Sequence, residues 1–255
     1  MTSRIPRVPQ WARGRIIDVH CHIGVDQRFL LDGSMDRVVN AMDRYGIAKA
    51  AISSTLSLLY DFREGNRHVY EAVRKYAGRF IGLATINPLY VNEALRELKY
   101  CISSLGMRGI KLHPDYFGIK ASHPLVEPIL EMAIELGVPV MIHSYDGGED
   151  VSLVADKFPD LSIVMYHMGG VRWREGIERV SGYDNVYLEI SSSVCDCGMM
   201  EYAVRKLGSE RILFGTDMPY QDPAVSLGKV FGARISDEDR ENILIKNAIR
   251  VLGKE

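Results

Sequence analysis

Two histidines one residue apart, His20 and His22 in Ile16-Ile17-Asp18-Val19-His20-Cys21-His22, pose the chemical question the rest of the chain must answer. Side chains at i and i+2 of a strand share a face, so both imidazoles leave the end of a buried apolar run together and can share one divalent cation. Two nitrogens do not fill a coordination sphere. Further candidates close other apolar runs: Lys111 and His113 in Gly109-Ile110-Lys111-Leu112-His113-Pro114, His143 in Val140-Met141-Ile142-His143, His167 in Val164-Met165-Tyr166-His167, and Asp217 in Phe214-Gly215-Thr216-Asp217. One such histidine is ordinarily a satisfied structural residue, whereas this many run ends carrying His or Asp indicate a common site. His20, His22, His143 and Asp217 supply three nitrogens and a carboxylate, a donor set suited to Zn2+ first and also to Mn2+, Fe2+ or Co2+. A cation held there lowers the pKa of its bound water from ~15.7 to about 7. Asp217 then orients that water and takes its proton, and His167 polarises a carbonyl or protonates a leaving atom.

Such residues converge only if the elements beneath them do. Eight apolar, β-rich runs, at about 15–20, 47–53, 80–86, 107–113, 138–143, 161–167, 185–190 and 211–216, alternate with segments of helical period such as 34–45, 92–105 and 124–136. The helix at 124–136 is expected to start near Ser122 and Pro124 and to stop at Gly137. A last helix follows Ser236, where Asp237, Glu238 and Asp239 suit the positive end of the dipole, and runs to about Leu252. The pattern predicts an α/β chain: a basic N-terminal arm at 1–14, then a single closed (β/α)8 barrel over 15–255 with an extra C-terminal helix, close to the ~250 residues typical of such barrels. An open doubly wound sheet fits less well, because the first run ends in histidines and not in a Gly-rich turn. Barrels of this kind carry their sites at the C-terminal ends of the strands, where every candidate above falls.

Composition narrows the partners. With 255 residues, 47% hydrophobic and 25% charged, and a net charge of −2, the chain reads as an ordinary globular domain with interspersed charges, expected to bind neither nucleic acid nor membrane. It contains no apolar stretch of membrane length and no signal-like start, and its four cysteines do not make a disulfide framework. A cytoplasmic enzyme is the expectation, with Cys195 and Cys197 as unpaired thiols. Little of the chain is left over to form a lid, so closure of the site falls to a second subunit if a homo-oligomer forms.

Several residues carry weaker signals. Tyr116, Arg172 and Tyr220 are candidate substrate contacts, with Arg172 and Arg174 able to clamp a carboxylate by paired hydrogen bonds, although arginines there more often solvate a helix start. Tyr145 and Trp173 are candidate pocket walls. Glu189 either faces the site or is an ion-paired barrel residue. Gly169 and Gly170 either cradle an anion or make a tight turn, and His68 and His123 read as surface residues.

Together, His-x-His on the first strand, then His143, His167 and Asp217 in that order, with His-Met-Gly-Gly and Phe-Gly-Thr-Asp-Met-Pro around the last two, resemble the amidohydrolase superfamily over residues 16–252. More narrowly, the chain resembles the branch containing aminocarboxymuconate semialdehyde decarboxylase and related hydrolases, decarboxylases and hydratases. The resemblance implies one metal on His20, His22, His143 and Asp217, with His167 near the reacting centre. Lys-Leu-His-Pro at 111–114 is also similar to the Lys-Leu-Tyr-Pro of dihydroorotases, where a carboxylated lysine bridges two metals. Lys111 is read first as an unmodified, substrate-facing or anchoring residue beside His113, and second as such a bridge, with His143 and His167 on the second ion. The leading expectation is a metal-dependent hydrolase of an amide, ester or lactone. The same site serves a decarboxylase or hydratase of a small unsaturated carboxylic acid. A TatD-type nuclease is disfavoured because Gly109-Ile110-Lys111-Leu112 stands where that family has Gly-Glu-Ile-Gly, and an inactive binding barrel because the ligand set is intact.

Overall fold

The computed structural model describes residues 8–253; Arg4, Pro6 and Arg7 of the expected arm lie outside them. Strands β1 (Ile16–Asp26), β2 (Leu31–Gly33), β3 (Ile47–Ser54) and β4 (Phe80–Gly82) form one sheet in the order β2-β1-β3-β4. Strands β5 (Ala84–Thr85), β6 (Ile110–Leu112), β7 (Val140–His143), β8 (Ile163–Tyr166), β9 (Val186–Glu189) and β10 (Ile212–Leu213) form the other, in the order β10-β9-β8-β7-β6-β5. Apart from the β1–β2 hairpin the pairs are parallel. Two seams join the sheets into one barrel. At the first, Leu83 N–H donates to the Ile52 carbonyl and Ala84 N–H to the Gly109 carbonyl, each at 2.9 Å. At the second, Val19 N–H reaches the Phe214 carbonyl at 2.9 Å and His22 N–H the Met218 carbonyl at 2.7 Å. The run expected at 80–86 is therefore split at Leu83, with β4 and β5 sharing one of the eight barrel positions.

Helices return the chain outside the strands: α1 (Met35–Tyr45), α2 (Thr55–Leu59), α3 (Phe62–Lys75), α4 (Val91–Ser103), α5 (Pro114–Phe117), α6 (Glu127–Leu136), α7 (Glu149–Lys157), α8 (Trp173–Val180), α9 (Met199–Leu207), α10 (Ala224–Gly232), α11 (Asp237–Glu241) and α12 (Asn247–Leu252). Ile17, Val19, Ala51, Leu83, Met141, Val164, Tyr166 and Leu213 fill the lumen, with Ala248 and Leu252 of α12 packed against them. A larger apolar layer, including Met42, Val69, Leu98, Ile129 and Ile177, lies between strands and helices. Parallel strands with both faces covered bury nearly every side chain, which is why these runs read as continuously apolar.

Three local features depart from the sequence expectation. The helix expected at 124–136 begins only at Glu127 with Pro128 in its first turn, because residues 121–122 are pinned outside it by Asp150, whose carboxylate accepts the N–H groups of Ala121 and Ser122 at 2.6 and 2.9 Å. Its stop at Gly137, in the left-handed region at φ 65°, is as expected. β1 does not end at His20 but runs on to Asp26 and folds back through β2, pairing Gly24 with Gly33. Finally, Asp18 pairs with Ala50 and Cys21 with Ile52, three steps against two, so β1 carries an extra residue at Val19-His20. Val19 keeps the lumen face of Ile17, and the bulge turns His20 inward as well, into the layer directly above it, while Cys21 joins the outer core. The closing helix starts with a capping box between Ser236 and Asp239 and continues through a π-type turn at 242–246 to Leu252.

Candidate metal centre

Three ligand atoms meet at the C-terminal mouth. His20 Nε2 and His22 Nε2 are 3.2 Å apart, and Asp217 Oδ1 lies 3.3 Å from the first and 3.2 Å from the second. A tetrahedral ion with bonds of ~2.0–2.1 Å needs ligand atoms about 3.3–3.4 Å apart, so this triangle has the edge length of one face of such a shell. The outer nitrogens are already engaged. His22 Nδ1 faces Ser53 Oγ at 2.8 Å, and His20 Nδ1 faces Glu189 Oε2 at 3.1 Å and Ser191 Oγ at 3.0 Å. A ring nitrogen that donates outward leaves the inner one as a lone pair, and a carboxylate behind a histidine raises its basicity as a ligand. Asp217 is held by its own N–H on the His20 carbonyl at 2.8 Å. Buried Asp18 reinforces the seam, accepting the Thr216 hydroxyl at 2.5 Å and the His20 N–H at 3.0 Å.

A second set adjoins the first. His167 Nδ1 faces the Ser191 carbonyl at 2.9 Å, His167 Nε2 faces His143 Nδ1 at 3.0 Å, and His143 Nε2 lies 3.3 Å from Asp115. With both outer nitrogens donating, two inner lone pairs point at one another, a position that a proton or cation must bridge. His113 stacks between His143 and Tyr116, at ring separations of 3.8 and 3.7 Å, and its buried Nδ1 has no hydrogen-bond partner. Glu189 links the sets: its Oε2 also accepts the His167 N–H at 3.3 Å and the Ser191 hydroxyl at 2.7 Å. Gly215 leaves the room that this carboxylate occupies, since a Cβ there would overlap it.

Burial governs the charges. It pushes His20, His22 and His143 below the ordinary histidine range and His167 down to about 3, leaving the neutral imidazoles that a metal requires. Burial alone would raise Asp217, yet in the metal-free site a protonated His22 donating to it, together with the charges that His167 and Lys111 carry when protonated, holds it below the usual carboxylate range. Glu189 is pushed up to about 8 by burial, against its hydrogen bonds from Ser191 and His167. Lys111 is fully buried and pushed down to about 7, although Asp217 and Glu189 favour its charge. Its Nζ lies 3.3 Å from His20 Nε2 and 4.2 Å from the centre of the Tyr166 ring.

Of the residues expected at the site, His20, His22, Asp217, His167, Lys111, His143 and His113 converge. His143, however, stands with His113 and Asp115 and connects to the triangle through His167. Tyr220 packs edge-on against His22 and donates to Asp26 at 2.7 Å, while Tyr116 accepts from Arg28 at 3.0 Å. Tyr145 lies against His143 and His167. Arg172 is placed elsewhere: it is exposed, paired with Glu175 and donating to the Asp146 carbonyl. Trp173 and Arg174 also point away, the indole edge-on to the Tyr202 ring and the guanidinium over it. Gly169 and Gly170 serve the turn. With His167 and Met168 they form a left-handed run, and a Cβ on Gly170 would strike the Tyr145 ring. His123 is exposed, but His68 is half-buried with Nδ1 3.1 Å from Ser54 Oγ. Sequence reasoning missed Ser53, Ser191 and Asp115, although Ser53 and Ser191 also stand at strand ends, where the same rule would have found them.

The model of the amidohydrolase family matches residues 17–254. The chain is 24% identical over 234 residues to 2-amino-3-carboxymuconate-6-semialdehyde decarboxylase of Dictyostelium discoideum, covering 74% of this chain and 65% of that protein, just under two thirds of its length. It is 26% identical over 279 residues to gamma-resorcylate decarboxylase of a Polaromonas species, covering 84% and 85%. Among solved structures, 5-carboxyvanillate decarboxylase of Novosphingobium aromaticivorans, complexed with manganese, superposes with a TM-score of 0.78 at 19% identity over 99% of both chains. Dihydroxybenzoic acid decarboxylase of Polaromonas, with bound manganese and 2-nitroresorcinol, gives 0.76 at 22% identity over 93% and 96%. A parallel barrel closed on itself, a His-x-His pair beside an aspartate at its mouth, and a family match running nearly end to end agree: the chain belongs to the amidohydrolase family.

Proposed function

We propose that this protein is a metal-dependent decarboxylase of a small aromatic or unsaturated carboxylic acid. The observation that carries the reading is the His20–His22–Asp217 triangle, whose edges suit one divalent ion, in a chain whose curated relatives are decarboxylases of such acids. The hydrolase expectation draws support from the family alone. His20, His22 and Asp217 would hold the ion, with His143 brought in from its contact with His167; the ion would bind substrate oxygens and draw off the negative charge that develops as carbon dioxide leaves. The manganese in the neighbours makes Mn2+ as good a choice as Zn2+.

This chain's own residues supply the rest. Loss of carbon dioxide leaves an electron pair on the carbon that bore the carboxylate, and a proton must replace it. His167 and Asp217 would relay that proton from solvent to the carbon, since neither holds one at rest, and Glu189 and the Ser191 carbonyl fix the His167 backbone and ring. Lys111, unmodified, places a cation above Tyr166 for the substrate's anionic group. Tyr116, Tyr145 and Tyr220 wall the mouth and exclude water from the carbon to be protonated.

The test is carbon dioxide release from 2,6-dihydroxybenzoate, 5-carboxyvanillate and an aminocarboxymuconate semialdehyde, run beside amide, ester and lactone hydrolysis, with Mn2+ or Zn2+ and after chelation. Metal-dependent carbon dioxide release is the expected result. Hydrolysis with no decarboxylation across the panel would return the hydrolase to first place.

A further inference from the structure

Outside the metal centre, a cavity of about 890 Å³ lies between α8, α9 and α10. Its walls are mostly apolar, with Met200, Tyr202 and Val225 among them, yet Lys229, Arg174, Arg205 and Arg234 also line it. Lys229 is nine-tenths buried, at 8% exposure, and its ammonium donates to the carbonyls of Ile190 and Ser192 at 2.8 and 2.7 Å. That leaves a third N–H, and among the described residues no carboxylate lies within ion-pair reach of it. The three arginines likewise form no carboxylate pair among the described residues; Arg174 and Arg205 stack over the Tyr202 ring. The two lining carboxylates are otherwise engaged, Asp196 by the Trp173 indole at 2.7 Å and Glu201 by the Arg234 N–H at 2.8 Å.

Helix α10 supplies a second, independent sign. Gly228 and Gly232 are one turn apart on the cavity wall, and a Cβ at either would meet only open space. Gly232 closes the helix, but Gly228 lies in its interior, where glycine is less favourable than alanine. No neighbouring atom here demands it, whereas a ligand lying against the bare helix would.

We propose that this cavity is a second binding site, for a small carboxylate with an apolar body, its charge received by Lys229 and the arginine rim and its body laid along Met200, Val225 and the Gly228–Gly232 face. The site is distinct from the metal centre but adjoins it. Lys229 clamps the two carbonyls that flank Ser191, which holds His167, so the cavity's floor is the back wall of the catalytic mouth.

The chain carries its own reporter. Cys195 and Cys197 are exposed and line the cavity, while Cys21 and Cys101 are buried. Alkylation of the metal-loaded protein by iodoacetamide, read by peptide mass, should therefore follow occupancy, with benzoate as probe and benzamide and inorganic phosphate as comparisons. Benzoate at ten times its dissociation constant should slow labelling about tenfold, and benzamide should not. Lys229→Met should abolish the protection. So should Gly228→Leu, which fills the cavity while improving helix propensity and keeps the test informative if the lysine variant fails to fold. Asp217→Asn should keep the protection, which separates this site from carboxylate binding at the metal. No saturable protection, equal protection by benzamide, or loss of protection in Asp217→Asn each overturns the proposal. Protection by phosphate equal to that by benzoate overturns the apolar part of it.

Discussion

Glu189 Oε2 stands 3.1 Å behind Nδ1 of His20, and the same oxygen accepts the His167 backbone N–H at 3.3 Å. One buried carboxylate thus aims a ring of the candidate metal centre and fixes the start of the left-handed turn that carries the neighbouring histidine. Replacing the partner of a metal-ligating histidine typically costs ~10–100-fold in metal affinity. Glu189→Gln should show that loss in a competitive chelator titration while its circular dichroism is unchanged. Undiminished affinity would reduce Glu189 to a packing role.

Asp217→Asn removes the charge from one corner of the candidate ligand triangle and from a proposed proton relay. Turnover should fall by at least ~100-fold, and the protein should lose its metal on gel filtration, measured by elemental analysis of the eluted fraction.

Lys111→Met keeps the volume of a fully buried side chain and deletes its cation. The expected result is a raised KM for the carboxylate substrate with one metal per chain retained. A drop in metal stoichiometry, together with a mass increment of one carbon dioxide on the wild-type lysine, would instead identify a carboxylated bridge.

The metal-free protein should lose stability in acid. Burial depresses His20, His22, His113, His143 and His167, so below about 6.5 the unfolded chain binds more protons than the folded one and stability falls with pH. Asp26, held down to about 2 by its hydrogen bond with Arg28, adds to the loss at the lowest pH. Asp18 and Glu189, raised by burial to about 7 and about 8, act in the opposite sense, their contribution being present in acid and lost as pH rises through those values. Five imidazoles outweigh two carboxyls. Urea midpoints should drop steadily from pH 6.5 to pH 5, and a flat profile would show that the rings are already protonated in the fold.

Gly170→Ala places a methyl group into the Tyr145 ring at a residue with φ 68° and ψ −136°. Strain of this kind costs about 1–3 kcal/mol, to be read as a lower urea midpoint. Turnover should fall with it, because Tyr145 packs on both His143 and His167.

The sequence disclosed what periodicity and strand ends disclose. Apolar runs closed by His20, His22, Lys111, His113, His143, His167 and Asp217 specified both the barrel and the residues at its mouth, because in a parallel barrel the end of each strand faces one point. The bulge at Val19-His20 was invisible: strict alternation from Ile17 and Val19 places His20 on the outer face, and only the pairing with β3 shows the extra residue. Arg172 was misplaced because its partner, Glu175, lies three residues along the same helical turn and draws it outward. Glu189 stayed ambiguous for the opposite reason, since nothing local tells a buried carboxylate whether its partners are cations or ring nitrogens.

Tyr166 lies flat beneath the mouth, stacked on His20 at 3.7 Å, under the Lys111 ammonium, with its hydroxyl on the Val19 carbonyl at the bulge. It works as a floor tile between a polar storey and an oily one. The polar residues of the mouth therefore meet Val19, Val164 and Leu213 through this one ring, which keeps the charged storey apart from the apolar one.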